Sequence, residues 1–545
     1  MKMRKFQANF NIWAVLSIIA ISLIVLPNLH IVAKVFTEPN DNWRHIKQFL
    51  LQEYLTNTIS IITFTGLLTA MIGTSLAWLV SAYEYPLRSF FKWGLILPLA
   101  IPPYIAAYTY TGLVNYTGII QTFLRGTFNL RIDQKYVDIM SMEGTIFIFS
   151  FFLFPYVYTI TRAFMANQSA ALLESSRMLG RSPMETFWSV ILPLSRGAIV
   201  GGACLVILEV INDYGVVQYF GITTFSTAIF KAWFGLGDVD TASKLAGILL
   251  LMVVILLVLE HLLRGGRRFG YSTTKVRPIQ RMKLTGIKAG LAFVYSCAVF
   301  CIGFLIPVLQ LLYWAFITYQ DVLSEQFYQL TLNTLGTALI SAGVIMVMAL
   351  IIANYARISQ GLVSRMLARI TVMGYSIPGA VIAIGVLIFF IAIDRNLGWL
   401  YKVVGLTSTE LVLSSSVVLL IFAYIIRFIG VGFNSVEAGF EKVGRKFFEA
   451  SRTLGMGITE TFFKVDLRMI SPAILSGLIL VFVDILKELP LALMLRPFNF
   501  ETLATKAYQY AGDELIQEAS IPSLIIILIS CISVYFFNKV AEKEG

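Results

Sequence analysis

Twelve apolar runs divide this chain, and each is long enough to cross the hydrocarbon core of a membrane, which is about 30 Å thick. They lie near 11–35, 56–82, 91–115, 144–165, 197–218, 244–263, 287–318, 331–356, 367–393, 411–432, 470–494 and 521–538. The mean hydropathy is +0.78 and only 13% of residues are charged, which excludes a soluble protein. The sequence therefore predicts an all-α integral membrane protein with about twelve transmembrane helices. Two short stretches, near 116–124 and 396–405, fit either a re-entrant piece or a loop.

The basic residues predict the orientation of these helices. The segment 264–288 carries eight lysines and arginines and no acid, so it is expected to stay in the cytoplasm. Six spans on either side of it then place both termini in the cytoplasm, with the loops 162–196 and 427–468. The basic first five residues precede a long apolar run without a small-residue cleavage site, and we expect an uncleaved first span. We interpret 264–288 as a topology signal, not as a nucleic-acid site.

One heptapeptide occurs twice, as Glu174-Ser-Ser-Arg-Met-Leu-Gly180 and Glu449-Ala-Ser-Arg-Thr-Leu-Gly455, at an offset of 449 − 174 = 275. The same offset pairs Gly202 with Gly477 and Thr227 with Thr502, and upstream an offset of 276 pairs Ile101-Pro102 with Ile377-Pro378. A constant offset over this length indicates an internal duplication. We expect two parallel six-helix units, 1–263 and 287–545, joined by a cytosolic connector, 264–286, with a substrate path between the two halves.

Each heptapeptide is predicted to form a short amphipathic helix that ends at a left-handed glycine, Gly180 or Gly455. Ser182-Pro-Met-Glu185 has the spacing of a capping box for the next helix, whereas Gly457 replaces the capping serine in the second copy. A loop that packs only on its own bundle is one explanation. Two copies with the same charge and glycine favour a surface that a partner contacts.

Carboxylates recur inside two apolar runs. At the 275 offset Glu209 matches Asp484 and Asp213 matches Glu488, and we expect each pair to share one helical face. Acids inside a span usually face a bundle interior or a watery cavity, and oxygen ligands suit a hard cation. The hydroxyl of Tyr214 is a further candidate ligand. The alternative is an ion pair, because Lys487 is close in sequence to both acids of the second copy.

Other aromatic and reactive residues carry less information. Tyr104, Tyr108 and Tyr110 fit either an outer vestibule or an interfacial aromatic belt. No Gly-x4-Gly-Lys-Ser/Thr loop and no serine, histidine and acid triad is found in the sequence. The four cysteines fall inside apolar runs and are interpreted as packing residues. We therefore expect no catalytic residue and no cofactor bound by this chain.

The two loops resemble the Glu-Ala-Ala, then Gly, pattern of permease subunits of binding-protein-dependent ATP-binding cassette importers. The first copy also has the Leu192-Pro193 ending of that pattern, whereas the second departs from it with Leu467-Arg468. The resemblance implies a bacterial cytoplasmic-membrane permease, an extracytoplasmic binding protein, and two copies of a cytosolic ATPase that uses ATP and Mg. It also implies ATPase contacts at Glu174, Ser175, Arg177, Gly180, Glu449, Ala450, Arg452 and Gly455.

Within that family, the segment 212–238 is most similar to ferric-iron permeases, through Asn212-Asp-Tyr-Gly215 and Trp233-Phe-Gly-Leu-Gly-Asp238. This resemblance implies ferric iron as substrate, with a transient Fe(III) contact at Glu209, Asp213, Asp484 and Glu488. A permease for thiamine or another small cation remains an alternative. An ion-coupled secondary transporter is a third, and it would use the carboxylates without needing two docking loops.

Overall fold

The computed structural model describes residues 12–130, 132–133, 138–166, 176, 178–264, 281–359, 361–403, 405 and 411–544. Nearly all regular structure in them is helical. The strands found there are β1 (Tyr83–Glu84) and β2 (Met282–Lys283), which form one short parallel pair. The all-α fold expected from the apolar runs is confirmed.

The helices of the first half are α1 (Ile12–Val35), α2 (Asp41–Phe49), α3 (Leu51–Ala82), α4 (Arg88–Gly94), α5 (Pro103–Val114), α6 (Ile119–Phe128), α7 (Met142–Ala166), α8 (Pro183–Thr186), α9 (Leu192–Asn212), α10 (Gly215–Tyr219), α11 (Phe225–Phe230) and α12 (Val239–Arg264). A 3₁₀ turn spans Leu97–Ala100, and π turns span Phe187–Ile191 and Lys231–Gly235. The π turn at Phe187–Ile191 joins α8 to α9 without a break.

The helices of the second half are α13 (Gly286–Phe300), α14 (Ile306–Val322), α15 (Glu325–Ile358), α16 (Leu362–Met373), α17 (Gly379–Val403), α18 (Val417–Val443), α19 (Lys446–Thr453), α20 (Ile458–Thr461), α21 (Leu467–Met469), α22 (Ser471–Lys487), α23 (Pro490–Leu495), α24 (Leu503–Gly512) and α25 (Ser520–Glu544). Here π turns span Cys301–Leu305 and Phe462–Asp466, and a 3₁₀ turn spans Gly374–Ser376.

The described residues contain 8 helices long and apolar enough to cross a membrane, or up to 10 if each of two bent pairs is one span. Two shorter apolar helices, Ile12–Pro27 and Ser520–Phe536, add to these. The multi-span architecture is thus confirmed. The fifth span lies earlier than 197–218, since its helix covers Pro183–Asn212. Of the two undecided stretches, 116–124 overlaps α6 and 396–405 begins within the end of α17.

The chain forms two compact units that do not follow the order of the sequence. Unit one comprises Met1–Ile46, Ala228–Leu250 and Leu323–Lys506, and unit two comprises Lys47–Thr227, Leu251–Val322 and Ala507–Gly545. Each unit therefore combines the central helices of one half with the first helix and part of the last segment of the other half.

In unit one, α1 packs against α15 and α17. The hydroxyl of Ser17 lies 3.4 Å from the carbonyl oxygen of Ile351. A Cβ at Gly385 would lie 2.7 Å from the carbonyl oxygen of Pro27, so only glycine lets α1 and α17 approach this closely. The first helix of the chain is thus an integral part of the second half's core.

In unit two, α13, α14 and α25 pack with the central helices of the first half. The hydroxyls of Tyr85 and Ser296 are hydrogen bonded at 3.0 Å. The ring of Trp314 packs directly on Gly112, where an added Cβ would lie only 2.5 Å from a ring carbon. A buried cluster that includes Leu76, Phe91 and Phe300 forms the core of this packing.

Equivalent hydrogen bonds reveal the repeat within each unit and correct its register. Thr58 Oγ1 accepts from the amide of Phe225, as Thr334 Oγ1 accepts from the amide of Leu503. The amide of Thr224 donates to Thr227, and the amide of Thr502 donates to Thr505. Thr224 is therefore the equivalent of Thr502, at an offset of 502 − 224 = 278. The predicted match of Thr227 with Thr502 is wrong. The second half has three extra residues between its span-ending acid and this turn.

Candidate coupling loops and intramembrane carboxylates

The second heptapeptide forms α19, an eight-residue helix with a glycine-terminated end. Gly455 has φ +88, the left-handed conformation that favours glycine. The amide of Leu454 donates to the carbonyl of Ala450 at 3.1 Å, and the amide of Met456 donates to the carbonyl of Ser451 at 3.2 Å. The long-range bond from the residue after the glycine is the signature of a Schellman cap. The predicted helix and turn are present.

The first heptapeptide ends in the same way. Gly180 has φ +80, and the amide of Arg181 donates to the carbonyl of Ser176 at 3.2 Å. Three of its predicted contact residues, Glu174, Ser175 and Arg177, lie outside the described residues. The two ends therefore share the left-handed glycine and the bond from the residue after it.

An inward-facing serine anchors each loop, which the sequence comparison did not single out. Ser176 is hydrogen bonded to Thr186 at 2.9 Å, and Ser451 is hydrogen bonded to Thr461 at 2.8 Å. All four residues are buried. Both pairs obey the 275 offset, since 451 − 176 = 275 and 461 − 186 = 275. The serine retained in both heptapeptides thus fastens each turn to the helix that follows it.

The helix after each turn begins as its sequence predicts. Ser182 and Glu185 form a reciprocal capping box, with the Ser182 amide donating to the Glu185 carboxylate at 2.8 Å. At the equivalent position Gly457 provides no side-chain cap, and Glu460 is hydrogen bonded to the Gly457 backbone and paired with Lys464 at 2.8 Å. The first loop therefore has the better-capped start.

The outer surface of these turns is suited to contact another protein. Met178 is 90% exposed, Leu179 is 81% exposed and Leu454 is 82% exposed. In the second loop Glu449, Ala450, Arg452 and Gly455 are also exposed. Apolar tips surrounded by charged side chains are the composition of a protein-protein contact.

A buried ion pair supports the second loop. Arg357, at the end of α15, lies 2.9 Å from Asp466, and the two side chains are 8% and 1% exposed. The guanidinium also lies 4.5 Å and 4.9 Å from the ring centroids of Phe440 and Phe448. Phe448 belongs to α19, so this arginine connects the loop helix to α15 and α18. Its sequence signal was weak, because basic residues at span ends are common.

Asp213 and Glu488 end the fifth and eleventh spans. Helix α9 ends at Asn212 and α22 ends at Lys487, so each acid is the first residue beyond its helix, not part of a helical face as predicted. Asp213 Oδ1 accepts from the amide of Val216 at 2.8 Å, and Glu488 Oε1 accepts from the amide of Leu491 at 3.0 Å. Both acids thus cap the short helix that follows.

The two capping acids differ in their surroundings. Glu488 is buried, and its carboxylate lies 3.1 Å from Nε of Arg427 in α18. An ion pair was one of the two alternatives for the second copy, and Glu488 does pair with a cation, Arg427, which lies on a different helix from Lys487. Asp213 is half-buried, as are Glu209 and Asp484. A substrate contact at these acids stays a prediction.

Several tyrosines of unit two lie near Asp213. The ring of Tyr508 lies 6.3 Å from that of Tyr214 and 6.2 Å from that of Tyr104, between centroids. Tyr108 lies 6.3 Å from Tyr219. Tyr108 and Tyr104 are buried, which does not fit an aromatic belt at the lipid interface. The sequence analysis singled out Tyr104, Tyr108 and Tyr214 but missed Tyr508.

The described residues contain no group of 3 or more histidine, cysteine, aspartate or glutamate side chains placed to hold a metal ion. A path that conducts a cation needs contacts weak enough for release.

A duplicated helical bundle with membrane-spanning helices, in which each half has an exposed left-handed glycine turn followed by a helix, is consistent with a transport permease. The chain belongs to the family described as "Binding-protein-dependent transport system inner membrane component", which matches residues 70–264 and 345–544. The two matches correspond to the two repeats.

Individual relatives match either most of the chain or a shorter part of it. The Fe(3+)-transport system permease protein FbpB 2 of Haemophilus influenzae is 25% identical over 90% of this chain and 91% of its own. The ferric transport system permease protein FbpB of Actinobacillus pleuropneumoniae is 20% identical over 88% of this chain and 71% of its own. The spermidine/putrescine transport system permease protein PotB of Escherichia coli is 24% identical over 38% of this chain and 74% of its own.

Proposed function

We propose that this chain is the membrane subunit of an ATP-driven importer that translocates ferric iron delivered by an extracytoplasmic binding protein. The proposed substrate is based on the similarity to an Fe(3+) permease along 90% of the chain. The proposed ATP-driven mechanism is based on the pair of exposed glycine turns, each with the same Schellman cap.

The two loops are the proposed docking sites for two copies of a cytosolic ATPase. Glu174, Ser175, Arg177 and Gly180 would contact one copy, and Glu449, Ala450, Arg452 and Gly455 the other. ATP and Mg are bound by that partner, so this chain is a transport subunit and not an enzyme. The basic connector supports a topology with both termini in the cytoplasm.

Each loop is built to transmit movement to a span. The Ser451–Thr461 bond links α19 to α20, and α20 continues through a π turn and α21 into the bent pair that contains α22. In the first half the Ser176–Thr186 bond links the turn to α8, and α8 continues through a π turn into α9 as one unbroken helix. A displacement of either loop by the ATPase would therefore move the helix that ends at Asp213 or Glu488.

The test is reconstitution of the full chain in liposomes with its ATPase and binding protein. We expect ferric-loaded binding protein to stimulate ATP hydrolysis and iron uptake, while the same binding protein without iron gives neither. Stimulation by thiamine or by a polyamine, with indifference to iron, would assign another small cation. Iron uptake without any ATPase subunit, driven by an ion gradient, would assign a secondary transporter.

A matched pair of variants tests the docking loops in the same assay. Leu454→Asp places a charge at a side chain that is 82% exposed and should weaken ATPase association. Leu515→Asp changes an exposed leucine, 44% exposed, on a loop of the side expected to face away from the cytoplasm. Equal ATPase association of both variants and the parent chain would contradict the assignment of the loop.

A further inference from the structure

The acids that end the fifth and eleventh spans are equivalent in sequence but not in chemistry. Glu488 is 6% exposed and pairs with Arg427. The position that matches Arg427 at the 275 offset is Phe152, which is fully buried. The second half therefore contains an arginine that neutralises its carboxylate, and the matching position in the first half carries no charge.

The residues next to the two acids also differ between the halves. Tyr214 follows Asp213, whereas Leu489 follows Glu488. Tyr104 in α5 matches Ala380 in α17 at the 276 offset. The first half thus has Tyr104 and Tyr214 where the second half has Ala380 and Leu489, while the charges near Glu488 are those of Arg427, with the phenol of Tyr424 also close to the carboxylate.

Tyr508 completes the group of phenols. Its ring is in contact with both Tyr104 and Tyr214, and it interacts electrostatically with Asp213. Asp213, Tyr214 and Tyr508 are all half-buried, so a small ion can reach them. The other two tyrosines nearby have different roles, since the Tyr108 hydroxyl is bonded to Ser523 and that of Tyr219 to Thr111.

The geometry points to a one-sided cation site: Asp213, with the hydroxyls of Tyr104, Tyr214 and Tyr508, forms a transient oxygen-rich contact for a hard trivalent cation, and the Arg427–Glu488 pair is structural. Carboxylate and phenol oxygens are hard ligands that suit such an ion. Arg427 would repel the same ion from Glu488. This inference rests on the proposed function for its biological ligand, but the site itself is defined by its oxygens.

The first experiment measures the site without transport. Tb(III), a hard trivalent ion whose luminescence is sensitised by nearby tyrosine, is titrated onto the full chain in lipid nanodiscs. We expect Asp213→Asn to weaken the tyrosine-sensitised signal about tenfold in apparent affinity, which corresponds to loss of one charge-assisted contact. Asparagine still accepts the Val216 hydrogen bond, so the helix start is kept. Tyr508→Phe should also weaken the signal while its ring packing remains.

Two controls separate the site from general packing and from surface binding. Tyr108→Phe removes a buried hydroxyl beside the site and should leave the titration unchanged. Glu325→Gln removes an exposed acid and should also leave it unchanged. If Asp213→Asn and Tyr508→Phe give the same curve as the parent chain, the one-sided site is wrong.

The second experiment uses iron uptake in the reconstituted transporter. We expect Asp213→Asn and Tyr508→Phe to reduce uptake while the binding protein still stimulates ATP hydrolysis, and Tyr108→Phe to transport normally. Normal uptake by both site variants would overturn the inference and leave the importer function intact. A parent chain that responds to its binding protein with a ligand other than iron would overturn the proposed substrate, and the Tb(III) titration would still decide the site.

Discussion

At the scale of single residues, two glycines determine the shape of the docking loops. Gly180 and Gly455 have φ +80 and +88, and a Cβ at either would meet nothing within 4 Å. Space is therefore available for a side chain, and the requirement for glycine comes from the backbone conformation alone. Gly457 offers a matched comparison, because it also has open space but a φ of -66.

We predict that Gly455→Val uncouples ATP hydrolysis from transport, because a β-branched residue in the left-handed region costs about 1–2 kcal/mol and shifts the turn out of that region. Gly457→Val, two residues away, should retain most of the coupling. The measurement is transported substrate per ATP hydrolysed in proteoliposomes. A normal ratio for Gly455→Val, or an equal loss in both variants, would show that the turn conformation is not what matters.

The Arg357–Asp466 pair shows how one half of the chain differs from the other at single positions. In the first half, Ser81 is equivalent to Arg357 at the 276 offset, and Ile191 is equivalent to Asp466 at the 275 offset. Ile191 is buried. The first half therefore builds the same junction without charges. A buried pair of this kind is strongly coupled, since removal of one partner leaves the other desolvated.

We predict that Asp466→Ile alone destabilises the protein by about 3–5 kcal/mol, because Arg357 is left buried without its carboxylate. Adding Arg357→Ser, which copies the first half, should recover most of that stability. The measurement is a double-mutant cycle of thermal unfolding in detergent. Additive losses in the double variant would show that the two side chains do not act as a pair.

Residue identity alone revealed the repeated acids but not their roles. The offset located Asp213 and Glu488, yet both looked like members of helical faces, because the apolar run continues beyond each of them. The structure ends each helix one residue earlier, where the acid caps α10 or α23. The pairing of Glu488 with Arg427 was not predictable either, since 61 residues separate them (488 − 427 = 61) and only the packing of α18 against α22 brings them together.

At the scale of elements, a clasp within unit one joins the segment after α1 to the start of α12. Asp238 accepts hydrogen bonds from the side chains of Asn40 and Asn42 at 2.7 Å and 2.8 Å, and from the Thr241 hydroxyl at 2.7 Å. Lys244 donates to the Thr37 hydroxyl at 2.9 Å beside it. Burial raises the pKa of Asp238, but these hydrogen bonds outweigh burial and lower it to about 2.

The lowered pKa gives the clasp a defined pH dependence. Because the folded pKa lies below the unfolded value of about 3.9, the stabilisation is present above pH 4 and is lost as the pH falls toward 2. We predict that Asp238→Asn lowers the unfolding temperature at pH 7 and that the difference from the parent chain shrinks between pH 4 and 2. Asp41→Asn, at a fully solvated side chain, is the control. A difference that does not change with pH would contradict the assignment.

Patterns within one element were predicted well, and patterns that depend on neighbouring elements were not. The capping box at Ser182 and the glycine turn at Gly180 follow from local backbone chemistry and were both correct. The alignment of Thr227 with Thr502 failed because similar residues recur at two spacings there. The hydrogen bonds from Thr58 and Thr334, which come from other helices, decide the register.

At the scale of the whole molecule, the sequence halves and the compact units are different divisions of the chain. The repeat predicts units at 1–263 and 287–545, and the family match at 70–264 and 345–544 follows the same repeat. In space, however, α1 packs on α15 and α17, and α14 packs on α25 and α5. Hydropathy reports which segments cross the membrane but not their partners, so this exchange was not predictable from the apolar pattern.

We predict that the two halves complement each other when they are expressed as separate chains, 1–270 and 271–545, because each supplies helices to a unit that the other half builds. Either chain alone should be degraded or aggregate, since residues such as Ile31 and Ile345, fully buried in unit one, come from different halves. Co-purification through a tag on one half, with thermal unfolding of the pair, is the measurement. Gly385→Leu should abolish the association, because its side chain would collide with Pro27 of α1, whereas Gly336→Leu, in open space, should not. Two halves that fold separately and stay monodisperse would contradict the exchange of helices.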